Sequence, residues 1–274
     1  MIYEFRNYTM RPGRRDTLIE LFEREFIEGQ EAAGMGVVGQ FRDLDAPNMY
    51  PWMRKFPDME ARRAALTAFY GGPIWKANRD AANATLLDSD NVLLLRPAPV
   101  PCADPSYGSA PDPSHRSASG LSYRSAPHGS APDLSHRSAP DLSHGSAPGR
   151  ALRPSPDPFP GTVRPPVGVT ALPGSLYVAM IYHVEDGFAE FFAQKAVPVL
   201  REAGAPPIAC FETETAENTY PALPVRTGEQ VFVWFARFDR PSEEREVALP
   251  VLESRLTAPP QRLRLAPTAR SALR

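Results

Sequence analysis

The chain is poor in the residues that build recognisable chemistry. Its two cysteines, Cys102 and Cys210, are too few for a disulfide framework or a cysteine metal site. Lysine is confined to Lys55, Lys76 and Lys195, and outside one central stretch His183 stands alone among histidines. No apolar run approaches the roughly 18 residues of a membrane span, so no membrane insertion is expected. The net formal charge of −2 gives no footing for nucleic acid or an acidic membrane surface. Neither Gly34-Met35-Gly36 nor Gly71-Gly72-Pro73 fits a phosphate loop, and no nucleophile elbow is present. Residues Met1 to Arg6 include an acid, Glu4, and no apolar segment of signal-peptide length, so the expectation is a cytoplasmic protein. Arginine in place of lysine, with abundant Ala and Pro, fits a GC-rich bacterial genome.

What is present in excess is proline, at 32 residues, and 17 of these fall between Pro97 and Pro173. That stretch has no Glu and no Lys, and its aromatics are Tyr107, Tyr123 and Phe159. Such a composition buries too little apolar area to offset an ordering entropy of roughly 1–2 kcal/mol per residue. A tandem octapeptide runs through it: SAPDPSHR from Ser109, SASGLSYR from Ser117, SAPDLSHR from Ser130 and SAPDLSHG from Ser138. His115, His128, His136 and His144 come with the repeat and lack the tight spacing of a metal site. Residues 99–173 are therefore read as a disordered linker, and no metal and no cofactor are expected.

Removing the linker exposes a duplication, residues 1–98 against 174–274. Both open with tyrosines five apart, Tyr3 and Tyr8, then Tyr177 and Tyr182, each pair followed by a glycine, Gly13 or Gly187. Leu18, Leu21, Phe22 and Phe26 repeat the spacing of Phe188, Phe191, Phe192 and Ala196, which gives one apolar stripe per helix. Both helices end in Ala-Gly, at Gly34 and Gly204, as a left-handed cap requires. A later strand carries W-x-x-[KR]-F in both copies, Trp52 to Phe56 and Trp234 to Phe238. A second helix is expected around Met59–Phe69 and Ser242–Leu256, then a strand closing at Pro97 or Pro267. Each half is thus a β-α-β-β-α-β, ferredoxin-like unit. One face of each sheet is left without helices and needs a cover, and the other copy supplies it. The fold class is α+β: two ferredoxin-like repeats forming an intrachain dimeric α/β barrel around a central insert. Pro51 is a departure, since proline cannot donate to a ladder, and the first-half strand is expected to start later than its counterpart.

The opening Tyr3 to Thr9 with Pro12-Gly13 after it, the stretch Asn218 to Arg226 leading into Val231 to Phe238, and the end from Leu265 to Arg274 resemble the NIPSNAP family. The resemblance covers both halves and leaves out the linker. It implies the dimeric α/β-barrel superfamily, which includes cofactor-free monooxygenases, haem enzymes and plain ligand binders, so fold alone does not settle function.

Alternation along the first strand puts Glu4, Arg6 and Tyr8 on one face and Tyr3, Phe5 and Asn7 on the other. Tyr3 and Phe5 are assigned to the helices, so Glu4, Arg6 and Tyr8 are expected to line the barrel with Trp52, Arg54, Tyr182 and Trp234. Arg6 would be the polar anchor, either paired with Glu4 as structure or free to contact a ligand. Asn218 and Arg226 are expected to rim the pocket. Two functions stay open: a protein that binds a small amphipathic ligand or acts as a scaffold, and a cofactor-free monooxygenase or isomerase acting on an electron-rich aromatic substrate. A closed cavity with Arg6 or Tyr8 free of partners favours the enzyme; a filled interior with Glu4 bonded to Arg6 favours the binder. The expected partner is a small molecule, with homo-oligomerisation left open.

Overall fold

The computed structural model describes residues 1–103, 157–160 and 163–274. The octapeptide copies and their four histidines lie outside these residues. The first half runs β1 (Ile2–Met10), α1 (Arg15–Leu21), a π turn (Phe22–Phe26), α2 (Ile27–Ala32), β2 (Gly36–Asp43), β3 (Met49–Phe56), α3 (Met59–Gly71), α4 (Pro73–Asn83), β4 (Leu86–Asp88) and β5 (Val92–Pro97). The second runs β6 (Leu176–His183), α5 (Phe188–Lys195), α6 (Val197–Glu202), β7 (Ala209–Thr213), β8 (Val231–Phe238), two 3-10 turns (Pro241–Glu243 and Pro250–Arg255) and β9 (Gln261–Pro267). The expected second helix of that half is therefore reduced to turns. Pro250 stands in the middle of its sequence, where it removes a helical donor and clashes with the preceding turn.

The strands follow the order β3-β2-β9-β6-β8-β7-β5-β1, and β1 pairs back with β3, so eight antiparallel strands close a barrel. The short β4 hangs on β1 outside the ring. The halves join at two seams, β2 with β9 and β5 with β7. Both seams pair the second strand of one unit with the last strand of the other, as a pseudo-two-fold arrangement demands. Register carries the duplication to single residues: Glu4 faces Arg54 and Tyr8 faces Tyr50 in one half, while Val178 faces Ala236 and Tyr182 faces Phe232 in the other. Trp52 and Trp234 thus hold the same place, as do Tyr8 and Tyr182.

β3 and β8 are equally long, so Pro51 does not delay its strand. The amide of Asn7, opposite Pro51, bonds Asn91 O, so this pair exchanges no bonds and the Pro51 nitrogen points away from β1. On that side the β2 ladder has already ended, at Gln40–Trp52. No donor is missed.

The barrel lumen is filled. Tyr3, Phe5, Phe41, Tyr177, Phe211 and Phe235 are buried there, with ring contacts that span the barrel: Phe5 to Phe235 at 5.6 Å and Phe41 to Tyr177 at 5.6 Å. Leu273 from the C-terminal segment and Phe159 from the insert belong to the same cluster. Asp157 accepts from the Tyr3 hydroxyl and pairs with Lys55 at 2.5 Å. Arg164 bonds Val37 O at 2.7 Å and pairs with Glu31. The insert expected to be a free linker therefore packs on the barrel at its C-terminal end.

Candidate functional site

The even residues of β1 point the other way from the lumen. Ile2, Tyr8 and Met10 pack with Leu18, Phe22, Phe26, Leu66 and Phe69 from the helices, and Trp52 and Phe56 of β3 join them. The expected parity was inverted for a physical reason. Both faces of a barrel strand under helices are buried, so apolar content does not say which face is which, and the lumen takes the more apolar set. Tyr182 and Trp234 likewise face their own helix α5, beside Phe188 and Phe192. All seven candidate lining residues thus lie between sheet and helices, not inside the barrel.

Three of them form a charge cluster. The Glu4 carboxylate, 0 % exposed, takes Arg6 Nη1 at 2.7 Å and Arg54 Nε at 2.7 Å on one oxygen, and Arg62 Nε at 2.7 Å on the other. All three arginines are buried. Burial works to raise the Glu4 carboxyl, and the Arg54, Arg6 and Arg62 guanidiniums reverse this and hold it well below the usual carboxylate range. Arg62 comes from α3, which starts where the Asp58 side chain accepts from the Ala61 amide. The guanidiniums bond outward as well. Arg6 Nε donates to the Tyr8 hydroxyl at 2.8 Å, Arg54 Nη1 to Gln30 Oε1 at 3.1 Å and to the Tyr70 hydroxyl at 3.5 Å, and Arg62 Nη1 to Asn218 Oδ1 at 2.9 Å.

Beside this cluster is a cavity of about 320 Å3, within the range of small-molecule sites. Its walls are Leu18, Phe22, Phe26, Trp52, Phe69 and Trp75, and Tyr8, Gln30 and Tyr70 supply its polar floor. The π turn carries two of these walls, Phe22 and Phe26, whose rings meet edge to face at 5.9 Å. Gly29 lets α2 close the side: a Cβ there would stand 2.9 Å from Ile74 Cδ1 of α4. The mouth is covered from the other half. Tyr220, Ala222 and Leu223 line it, and Tyr220 stacks on Tyr70 at 6.2 Å.

Asn218 anchors that covering loop, accepting also from the Tyr220 amide at 3.1 Å and donating to Leu223 O at 3.0 Å. Arg226 stands elsewhere. It pairs with Glu229 at 2.6 Å, next to His183, and does not line the cavity. Sequence reasoning missed Arg62, Gln30 and Tyr70. Arg62 had a signal: Arg62, Ala65, Leu66 and Phe69 form the buried stripe of α3, so a charge stood on an apolar face.

Fold and site together define an intrachain α/β barrel of two ferredoxin-like units. The chain matches the fold of an anthrone oxidase-like protein at TM-score 0.51 and 10% identity, over 99% of this chain and 93% of that one. A candidate monooxygenase from Fusobacterium nucleatum matches at TM-score 0.48 and 7% identity, covering 97% and 92%. Within the first half, residues 3–101 match the NIPSNAP family. A NIPSNAP domain protein from Burkholderia xenovorans matches at 20% identity and TM-score 0.34, over 38% of this chain and all of the other. No curated protein matches the chain.

Proposed function

We propose that the protein binds a small amphipathic molecule in the cavity of its first half. The observation that carries this is the contrast between a packed lumen and a roomy, aromatic-walled space over a polar floor. Glu4 is bonded to Arg6, and its other partners saturate it, so it is not placed as a general base. No carboxylate and no histidine lines the cavity among the described residues. Binding is therefore favoured over acid–base catalysis. We place the chain in the cytoplasm, since two cysteines are too few for the disulfide framework of a secreted domain.

The test is titration with the neutral fluorophore N-phenyl-1-naphthylamine. One saturable site per chain is expected in the wild type. Ala222→Trp, at an exposed lining position of the mouth, should abolish it without lowering the melting temperature. Absence of saturable binding, or binding untouched by the mouth variant, removes the cavity as the site.

A further inference from the structure

We infer that the ligand of this cavity carries a negative charge, held over Tyr8, Gln30 and Tyr70. The inference rests on the binding reading above and adds the chemistry of the ligand's head. Three buried guanidiniums share one carboxylate, so two positive charges are left without a counter-charge among the described residues. Arginine does not shed its proton to escape this. Surplus buried charge is costly, and an arriving anion would relieve that cost.

The hydrogen-bond directions convey the charge to the cavity. Tyr8, Gln30 and Tyr70 each accept a guanidinium N–H on their oxygen. Each still has a donor to offer, two phenolic O–H groups and one amide NH2. Burial raises the Tyr8 phenol above its ordinary value, against the pull of Arg6, so it keeps its proton. The Trp52 indole N–H, on a residue that lines the cavity and is 2 % exposed, has no partner among the described residues. Arg62 Nη2 is also buried without a hydrogen-bond partner among them. A floor of donors backed by positive charge selects an acceptor-only group, such as a carboxylate, phenolate or enolate. The aromatic walls select a flat apolar body behind it.

The probes are 2-naphthoate and 2-naphthamide, which share a ring system and differ by one charge, titrated calorimetrically at low salt and pH 7.5. The wild type should bind naphthoate at least about ten-fold more tightly, as a hydrogen bond to a charged group implies. Tyr8→Phe and Arg6→Met should bring naphthoate down to the amide's affinity and leave the amide within about three-fold of its wild-type value. Tyr8→Phe keeps the ring in place, so the test survives if Arg6→Met fails to fold. Equal affinities in the wild type overturn the anion inference and leave the cavity reading standing. Saturable binding of neither probe, nor of the neutral fluorophore, removes both. A charge preference that persists in both variants refutes the assigned floor.

Discussion

The two halves share a register and part company at a handful of side chains. Where the first half has Glu4, Arg6 and Arg54 on its helix side, the second has Val178, Met180 and Ala236 at the matching positions. Where α3 brings Arg62, the second half has only 3-10 turns, with Leu252 buried. Tyr8 and Trp52 keep their counterparts in Tyr182 and Trp234. One scaffold thus carries an uncharged sheet–helix interface in one copy and a buried charge cluster beside a cavity in the other. The uncharged interface shows that the fold does not need the charges. On the binding reading proposed above, their presence in one half belongs to what that half binds.

The comparison is broken most severely by removing the single negative group. Glu4→Gln leaves three buried guanidiniums around a neutral amide, and a loss of about 3–5 kcal/mol in denaturant unfolding is expected. Its pH signature has a definite sign. The folded Glu4 carboxyl lies below its unfolded value, so its contribution is complete above about pH 4.3. It is lost as pH falls through the folded value. The variant should show a flatter acid limb than wild type, and an unchanged acid limb would mean that Glu4 is not the linked group. Next in size is the lumen, which belongs to both halves at once. Phe159→Ala empties a place among Tyr3, Phe211 and Phe235 and should destabilise by about 3 kcal/mol. A loss near zero would mean that the insert's end does not contribute to the core.

Much of this asymmetry was legible in the sequence, and its parts failed for different reasons. Paired tyrosines, the W-x-x-[KR]-F strands and the Ala-Gly caps located the duplication, and Gly34 and Gly204 do take positive φ. Alternation grouped Glu4, Arg6 and Tyr8 correctly on one face. It could not say which face, because lumen and helix side are both dry. The Glu4–Arg6 pair is one of the two alternatives that the sequence leaves open for Arg6, while Arg54 and Arg62 as further partners of the same carboxylate are not foreseen. Such partners arrive from β3 and α3, and only tertiary structure sets that distance. The cavity is expected in the barrel because Glu4, Arg6 and Tyr8 are assigned to its interior, whereas seven aromatic side chains, Phe159 among them, fill the lumen. Phe159 was one aromatic in a proline-rich stretch, and composition averaged it away.

A milder perturbation separates pairing from surplus. Arg6→Met leaves Glu4 with Arg54 and Arg62, so the carboxylate is not stranded as it would be with one partner alone. The variant loses bonds to Glu4 and Tyr8 and also sheds one unmatched positive charge. Its expected destabilisation is about 1 kcal/mol, well under that of Glu4→Gln. Equal losses from the two substitutions would show that the cluster behaves as one isolated ion pair.

The smallest expected effect on stability is also the most telling. Glu4→Val, Arg6→Met, Arg54→Met and Arg62→Leu together give the first half an apolar set like that of the second. Replacing a whole buried charge network with apolar groups of similar volume is often neutral or stabilising, by about 1–4 kcal/mol, because no group is left unpaired. Against this stand the Tyr8, Gln30, Tyr70 and Asn218 oxygens, each of which loses a donor. Asn218 keeps the Tyr220 amide. Tyr8, Gln30 and Tyr70 border the cavity, where water can reach them, so their losses stay at about 1 kcal/mol apiece. The two sides nearly cancel, and the melting temperature should move by no more than a few degrees. Naphthoate affinity should fall to that of naphthamide in the same protein. A folded quadruple variant without charge preference would show that the cluster serves the ligand. A variant that fails to fold, while its second-half counterparts Val178, Met180 and Ala236 are tolerated, would show that the charges hold the first half together. The difference between the halves would then belong to folding and not to binding.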